Sequence, residues 1–217
     1  MTEELKKVLA DGLTGLGLSP TQGQIDQLAL YCDRLLEKNQ VMNLTAITDP
    51  ADVVTLHFLD SAALLPSKVF GGKKVIDVGT GSGILAIAAL RLGASHATGV
   101  DIDPKAEDIA RENAGYNGFS APEFAALTGN VLSDKKLMAR LQDSRYDVVL
   151  VNIVADVIIG LAPVLPNFMN ENTDLICSGI LCDRLEEVVA AIRKAGMTVT
   201  SIRCGEEWRC ITVKKEN

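Results

Sequence analysis

Two rhythms of apolar residues divide the chain. Over residues 1–66 they recur at intervals of three and four: Leu5, Val8, Leu9, Leu13 and Leu16, then Ile25, Leu28, Ala29, Cys32, Leu35 and Leu36. That spacing predicts amphipathic helices, each with one buried face. Gly17 stands where the first helix should end, and Ser19-Pro20 offers an N-cap and a first-turn proline for the second. Residues 39–48 are polar and read as a turn. Asp49-Pro50 opens a third, short helix, and a fourth apolar segment covers 59–65. From residue 74 the rhythm changes. Short β-rich runs at 74–78, 97–101, 123–127, 147–151, 174–178, 198–203 and 208–213 follow one another. Helical patterns such as 84–92, 105–116 and 184–195 separate the first six.

Strands alternating with helices predict a parallel sheet covered on both faces. The last two runs are joined only by a turn near Gly205-Glu206, too short for a crossover helix, so the seventh strand must run antiparallel to the sixth. The expected fold class is α/β, with a seven-stranded, mostly parallel sheet ending in an antiparallel hairpin. A small helical region precedes it. Residues 66–73, with Gly71-Gly72, form the expected boundary between a helical region (1–66) and an α/β domain (67–217).

Bulk properties narrow the function. The chain has 217 residues and a formal net charge of −7, with 28 acidic against 21 basic residues, which lowers the expectation of a phosphate-gripping surface. No apolar run reaches the roughly 18 residues of a membrane span. Residues 1–9 are charged and amphipathic, unlike an export signal, so the expected location is the cytoplasm. Cys32, Cys177, Cys182, Cys204 and Cys210 are odd in number, and the spacing of the last four matches no zinc ribbon; free thiols and no metal site are expected.

The chemistry gathers at strand ends. The run Val75-Ile76 leads into Asp77-Val78-Gly79-Thr80-Gly81-Ser82-Gly83 and then a helix. Glycines let a backbone turn sharply and approach a ligand, and a helix start aims amides at it. The spacing is G-x-G-x-G. Where a dinucleotide fingerprint has its third glycine stands Ile84, which argues against an NAD-dependent oxidoreductase. A carboxylate at Asp77 suits the cationic amino group of a methionine moiety better than a pyrophosphate. Loop and terminal hairpin together give a class I Rossmann-like methyltransferase layout, with S-adenosylmethionine as cofactor. Asp77, Gly79, Thr80, Gly81 and Gly83 are its first expected contacts.

After the next strand comes Asp101-Ile102-Asp103-Pro104. A carboxylate about 20 residues past the loop can bind both ribose hydroxyls. Asp101 is the expected contact, with Ile102 beside it, while Asp103 is expected to cap the helix beginning at Pro104. Asn130, after the third strand, is a candidate for the adenine amino group or a plain turn asparagine. Asn152, after the fourth, is the candidate catalytic residue and a further cofactor contact; the alternative is that it only caps the next helix. A side-chain carbonyl there can hold an amine so that its lone pair meets the methyl group. Of the two histidines, His96 reads as a surface residue before a strand. His57 lies near the domain junction, and its role stays open.

Several strings extend this reading. VIDVGTGSGILAIAALRLGA, GVDIDPKAEDIARENAGYNG, YDVVLVNIVADVIIGLAP, SGILCDRLEEVVAAIRKAGM and GEEWRCITV make residues 73–214 resemble the catalytic domain of the bacterial methyltransferases that modify ribosomal protein L-eleven. The resemblance implies that Asn152 is the amine-orienting residue of an N-x-x-A-like motif. LSPTQGQIDQLALYCDRLLEKNQVMNLTAITDPADV and HFLDSAALLP make residues 18–66 resemble the N-terminal helices of the glucose-inhibited-division-B family, which makes N7-methylguanosine in small-subunit rRNA. Together the two imply a fusion joined near 66–73, an engineered chimera or a natural recombinant, with residues 57–61 replacing a lid over the cofactor. The implied chemistry is N-methylation of a ribosomal protein. Its separate recognition domain is expected to be missing and native recognition lost. Guanine-N7 methylation of rRNA, or cofactor binding without catalysis, are the alternatives.

Overall fold

In the computed structural model, residues 1–42, 47–59, 69–205 and 207–216 are described. The chain divides into two compact units, Met1–Lys68 and Val69–Asn217.

The first unit is helical. Helix α1 (Glu3–Gly15) starts where Thr2 Oγ1 accepts from Leu5 N at 3.3 Å. It ends in a Schellman motif: Gly17 N donates to Thr14 O and Leu18 N to Leu13 O. Helix α2 (Gln22–Met42) begins later than the Ser19-Pro20 signal suggests. Thr21 Oγ1 accepts from Gln24 N, and Gln24 Oε1 accepts from Thr21 N at 2.8 Å. This reciprocal capping box satisfies two free amides, where a lone serine satisfies one. The helix also continues to Met42, into the stretch expected to turn. Asp49 Oδ1 accepts from Ala51 N to start α3 (Pro50–Asp52), which runs on as a π-helix, Val53–Leu59. Leu9, Leu13, Ile25, Cys32, Val53, Val54 and Phe58 form this unit's core. Val8, on the predicted apolar face of α1, is instead 44% exposed. Beyond Leu59, the fourth apolar segment lies outside the described residues.

The second unit is a seven-stranded sheet, with strands β1 (Lys74–Val78), β2 (His96–Asp101), β3 (Phe124–Thr128), β4 (Tyr146–Asn152), β5 (Met169–Leu181), β6 (Met197–Cys204) and β7 (Trp208–Lys215). Their spatial order is β3-β2-β1-β4-β5-β7-β6. The first five are parallel, and β7 runs antiparallel to both β5 and β6, as the short last turn requires. Between the strands lie α4 (Ile84–Arg91), α5 (Pro104–Tyr116), α6 (Lys135–Ser144), α7 (Ala155–Leu161) and α8 (Leu185–Lys194).

Alternate residues of the central strands serve opposite faces. Val75, Val148 and Leu150 pack with Ala86, Ile87 and Leu90 of α4 and Ala110 and Ala114 of α5. Ile76, Val78, Val149 and Val151 pack with Leu137 and Leu141 of α6, Ile158 of α7, and Val188 and Ile192 of α8. A strand buried on both faces must be a continuous apolar run, which is why β1 and β4 were so plain in the sequence. Both end on a polar residue or a glycine loop at the carboxyl edge of the sheet, the usual ligand side of such folds.

Candidate functional site

The loop after β1 is built as an extension of the β1–β2 ladder. Gly79 N and Thr80 N both donate to Val100 O, at 2.8 and 3.1 Å. At Gly83, φ is +81° and a Cβ would stand 3.0 Å from Ala110 Cβ and 3.2 Å from Ala110 Cα on α5. Only glycine fits both the left-handed backbone and that approach. Asn113, one turn further along α5, donates from Nδ2 to Ser82 O at 2.9 Å. The loop is therefore held from the strand side and from the helix side.

Asp77 lies beneath it, 1% exposed. Thr80 Oγ1 donates to its Oδ2 at 2.7 Å. Oδ1 has no hydrogen-bond partner, the only such buried side-chain atom among the described residues. Burial pushes the Asp77 carboxyl up to about 6; the Thr80 bond and the nearby Ala86 amide oppose this, and Asp101 adds to it. A buried carboxylate oxygen without a donor, next to a glycine loop, is the partner an ammonium group needs. The donor set thus fits the methionine end of S-adenosylmethionine.

Asp101, the last residue of β2, is half-buried and uses both carboxylate oxygens. Oδ2 accepts from Gly81 N at 2.9 Å and Oδ1 from Asp103 N at 3.0 Å. It organises the glycine loop as well as standing where ribose hydroxyls would be read, since each oxygen keeps a further lone pair. Ile102 beside it is 72% exposed. Asp103 Oδ1 accepts from Lys105 N and caps α5, as expected. Asn130 is exposed, and its Oδ1 accepts from Leu132 N at 2.9 Å, a turn-making bond. Gly129 N donates to Asp101 O, which brings the Asn130 turn to the same edge.

Asn152 ends β4, exposed, and pairs in register with Ser178 of β5. It does not cap α7: the N-cap there is Val154, with no side-chain bond. Ile153 next to it reaches the glycine loop, its Cγ2 lying 2.9 Å from where a Gly79 Cβ would stand. The structure thus brings Asp77, the loop, Asp101, Ile102, Asn130 and Asn152 to one edge of the sheet. His96 opens β2 at the other edge. The His57 side chain and residues 60–61 lie outside the described set.

Sequence reasoning gave Asn113 no role, although a polar residue following the alanine stripe Ala106–Ala110 on the loop-facing side of α5 was a usable signal. It also missed the rim beyond Asn152. There Arg184 Nη2 donates to Asp156 Oδ1 at 2.6 Å and Nε to Glu187 Oε1 at 2.8 Å. Leu181 and Trp208 face each other across β5 and β7, 41% and 53% exposed, and Val154 is 63% exposed. Asp183, Glu186 and Glu207 are exposed on the adjoining segments.

Known proteins share this fold. The family model described as Ribosomal protein L11 methyltransferase (PrmA) matches residues 48–216. The chain belongs to the ribosomal protein L11 methyltransferase family. A family member from Chromohalobacter salexigens is 42% identical over 167 residues, 77% of this chain and 51% of that protein. One from Fusobacterium nucleatum is 35% identical over 153 residues, 70% of this chain and 47% of that protein. The chain therefore spans about half the length of the curated relatives it matches. Among solved structures, a ribosomal protein L11 methylase from Lactobacillus delbrueckii subsp. bulgaricus superposes with a TM-score of 0.63 at 28% identity, over 73% of this chain and 80% of that one. An RNA methyltransferase from Salinibacter ruber, solved with S-adenosyl-L-homocysteine, shares the fold, with a TM-score of 0.54 at 19% identity over 71% and 89% of the two chains. The α/β unit is a class I methyltransferase fold, and the L11 methyltransferase family is one of S-adenosylmethionine-dependent enzymes. The family match starts at residue 48, upstream of the 73–214 stretch whose strings resemble it, and runs through the 66–73 boundary.

Proposed function

We propose that this chain methylates an amine nitrogen of a ribosomal protein, using S-adenosylmethionine held at the carboxyl edge of β1, β2 and β3. The observation that carries the reading is the unpartnered, buried Oδ1 of Asp77 under the glycine loop. Asp77 receives the ammonium of the methionine moiety beneath the glycine loop, whose Gly79, Thr80, Gly81 and Gly83 amides are spent on holding the loop itself. Asp101 takes the ribose hydroxyls, Ile102 covers the adenine, and Asn130 stands at its amino end. When bound, the cofactor supplies a methyl group on a sulfonium whose neutral thioether leaves readily, so the protein's task is positioning. Asn152 Oδ1 accepts an N–H of the incoming amine and fixes where its lone pair lies. Water takes the amine's proton before transfer.

The rim supports a protein acceptor over RNA. The charge of Arg184 is already shared between Asp156 and Glu187, and Asp183, Glu186 and Glu207 add exposed negative charge. Phosphates would meet repulsion there, whereas a cationic polypeptide would not. Such a substrate places the protein in the cytoplasm. The helical region 1–66 we read as a separate domain, joined to the methyltransferase domain near 66–73, and the glucose-inhibited-division-B resemblance of residues 18–66 as the mark of a fusion. The test is transfer of radiolabelled methyl groups to ribosomal protein L11 and to naked small-subunit rRNA. Label on the protein is expected; label on rRNA alone overturns the acceptor. Calorimetric binding of S-adenosylhomocysteine without transfer to either leaves a cofactor-binding module.

A further inference from the structure

We infer that Gly179 is a positioning residue for Asn152. The inference rests on the reading of Asn152 as the amine-orienting group. Strand β5 pairs with β4 as far as Ser178, opposite Asn152. Its pairing with β7 shifts register between Cys177 and Ile180, so a bulge lies at the point where Asn152 leaves the sheet. Gly179 sits in that bulge with φ at +77°. A Cβ on it would stand 2.8 Å from Ile153 O, 3.1 Å from Ile153 C and 3.1 Å from Asn152 Oδ1. Two of these atoms are backbone and cannot swing aside. The third is the oxygen that would accept the amine N–H. The missing side chain of Gly179 is therefore the space in which the end of β4 and the Asn152 carbonyl rest.

The test uses the full chain and two readouts. In G179A, kcat for amine methylation should fall at least about tenfold while the Kd of S-adenosylhomocysteine and the KM of the acceptor stay within about threefold. The double variant G179A/N152A should be no slower than N152A alone, because a residue acting through Asn152 has nothing left to position. Multiplying effects overturn the proposal. The second readout is independent of activity: the side-chain amide resonance of Asn152, assigned by its loss in N152A. It should move in G179A and in G179N, while the Gly81 amide stays. Asparagine tolerates a left-handed backbone better than alanine does, so G179N separates crowding from strain. In the unaltered chain, this side-chain amide should give a high heteronuclear NOE. A freely rotating Asn152, or an unmoved resonance in both variants, overturns the proposal without recourse to catalysis. If the unaltered chain methylates no amine, the functional reading fails and the NMR readout still decides the positioning.

Discussion

The carboxyl edge of the sheet has two halves built on different plans. Along β1, β2 and β3, each polar group is fastened to the backbone: the loop amides to Val100, Gly81 and Asp103 to Asp101, Ser82 to Asn113. One atom, Asp77 Oδ1, is left without a donor. Along β4, β5 and β7, the groups are exposed. Asn152 is open, and Val154, Leu181 and Trp208 show apolar surface beside a charged cluster. On the proposed function, the first half is preorganised for the cofactor, and the second offers its uncovered apolar area to the acceptor. Such a division lets the acceptor change while the cofactor site stays fixed.

Breaking the first half should have the largest effect. D77N should raise the Kd of S-adenosylhomocysteine about 100-fold, a loss of roughly 2.7 kcal/mol, measured by calorimetry at pH 7.5. The same variant should unfold at a higher temperature without ligand. The folded state holds the Asp77 proton up to about 6 against 3.8 in the reference state, so this group lowers stability as pH rises through that window. The cost above it is on the order of 3 kcal/mol. The gap between D77N and the unaltered chain should widen from pH 4 to 7, and a constant gap would refute the account. D101A comes next. It frees the amides of Gly81 and Asp103, and should weaken S-adenosylhomocysteine binding by about 30-fold, roughly 2 kcal/mol.

The second half should respond differently. W208A should lower kcat/KM for the protein acceptor about tenfold, as loss of an exposed aromatic anchor does. The Kd of S-adenosylhomocysteine, read in parallel, should not change; a matching loss there would erase the contrast. The smallest effect belongs to N130A. The Asn130 oxygen already serves Leu132 N, so cofactor affinity should fall by no more than about threefold.

Sequence patterns gave away the sheet because central parallel strands are buried on both faces and read as apolar runs. They gave β5 too short. It begins at Met169, where Asn170 and Thr173 look like loop residues. There, Asn170 N donates to Thr173 Oγ1 and Asn170 Nδ2 to Tyr146 O, which pays the polar cost of a strand start. The capping box Thr21–Gln24 was present in the sequence, but Ser19-Pro20 imitates the same signal. At the site, the motif residues were legible as residues. Their states were not: the orphaned oxygen of Asp77, the double duty of Asp101 and the rim at Trp208 all depend on groups far apart in sequence. Gly179 in particular gains meaning only when β5 is laid against the end of β4.

The placement of β7 has a consequence for synthesis. It fills the slot between β5 and β6, although it follows β6 in the chain. While Met197–Cys204 emerges from a ribosome it has no strand to pair with, and the outer side of β5 stays open. An unpaired edge invites association with other chains. The sheet closes only when Trp208–Lys215 enters between β5 and β6, so the stage before that insertion is the one at which this fold is most exposed to misassembly.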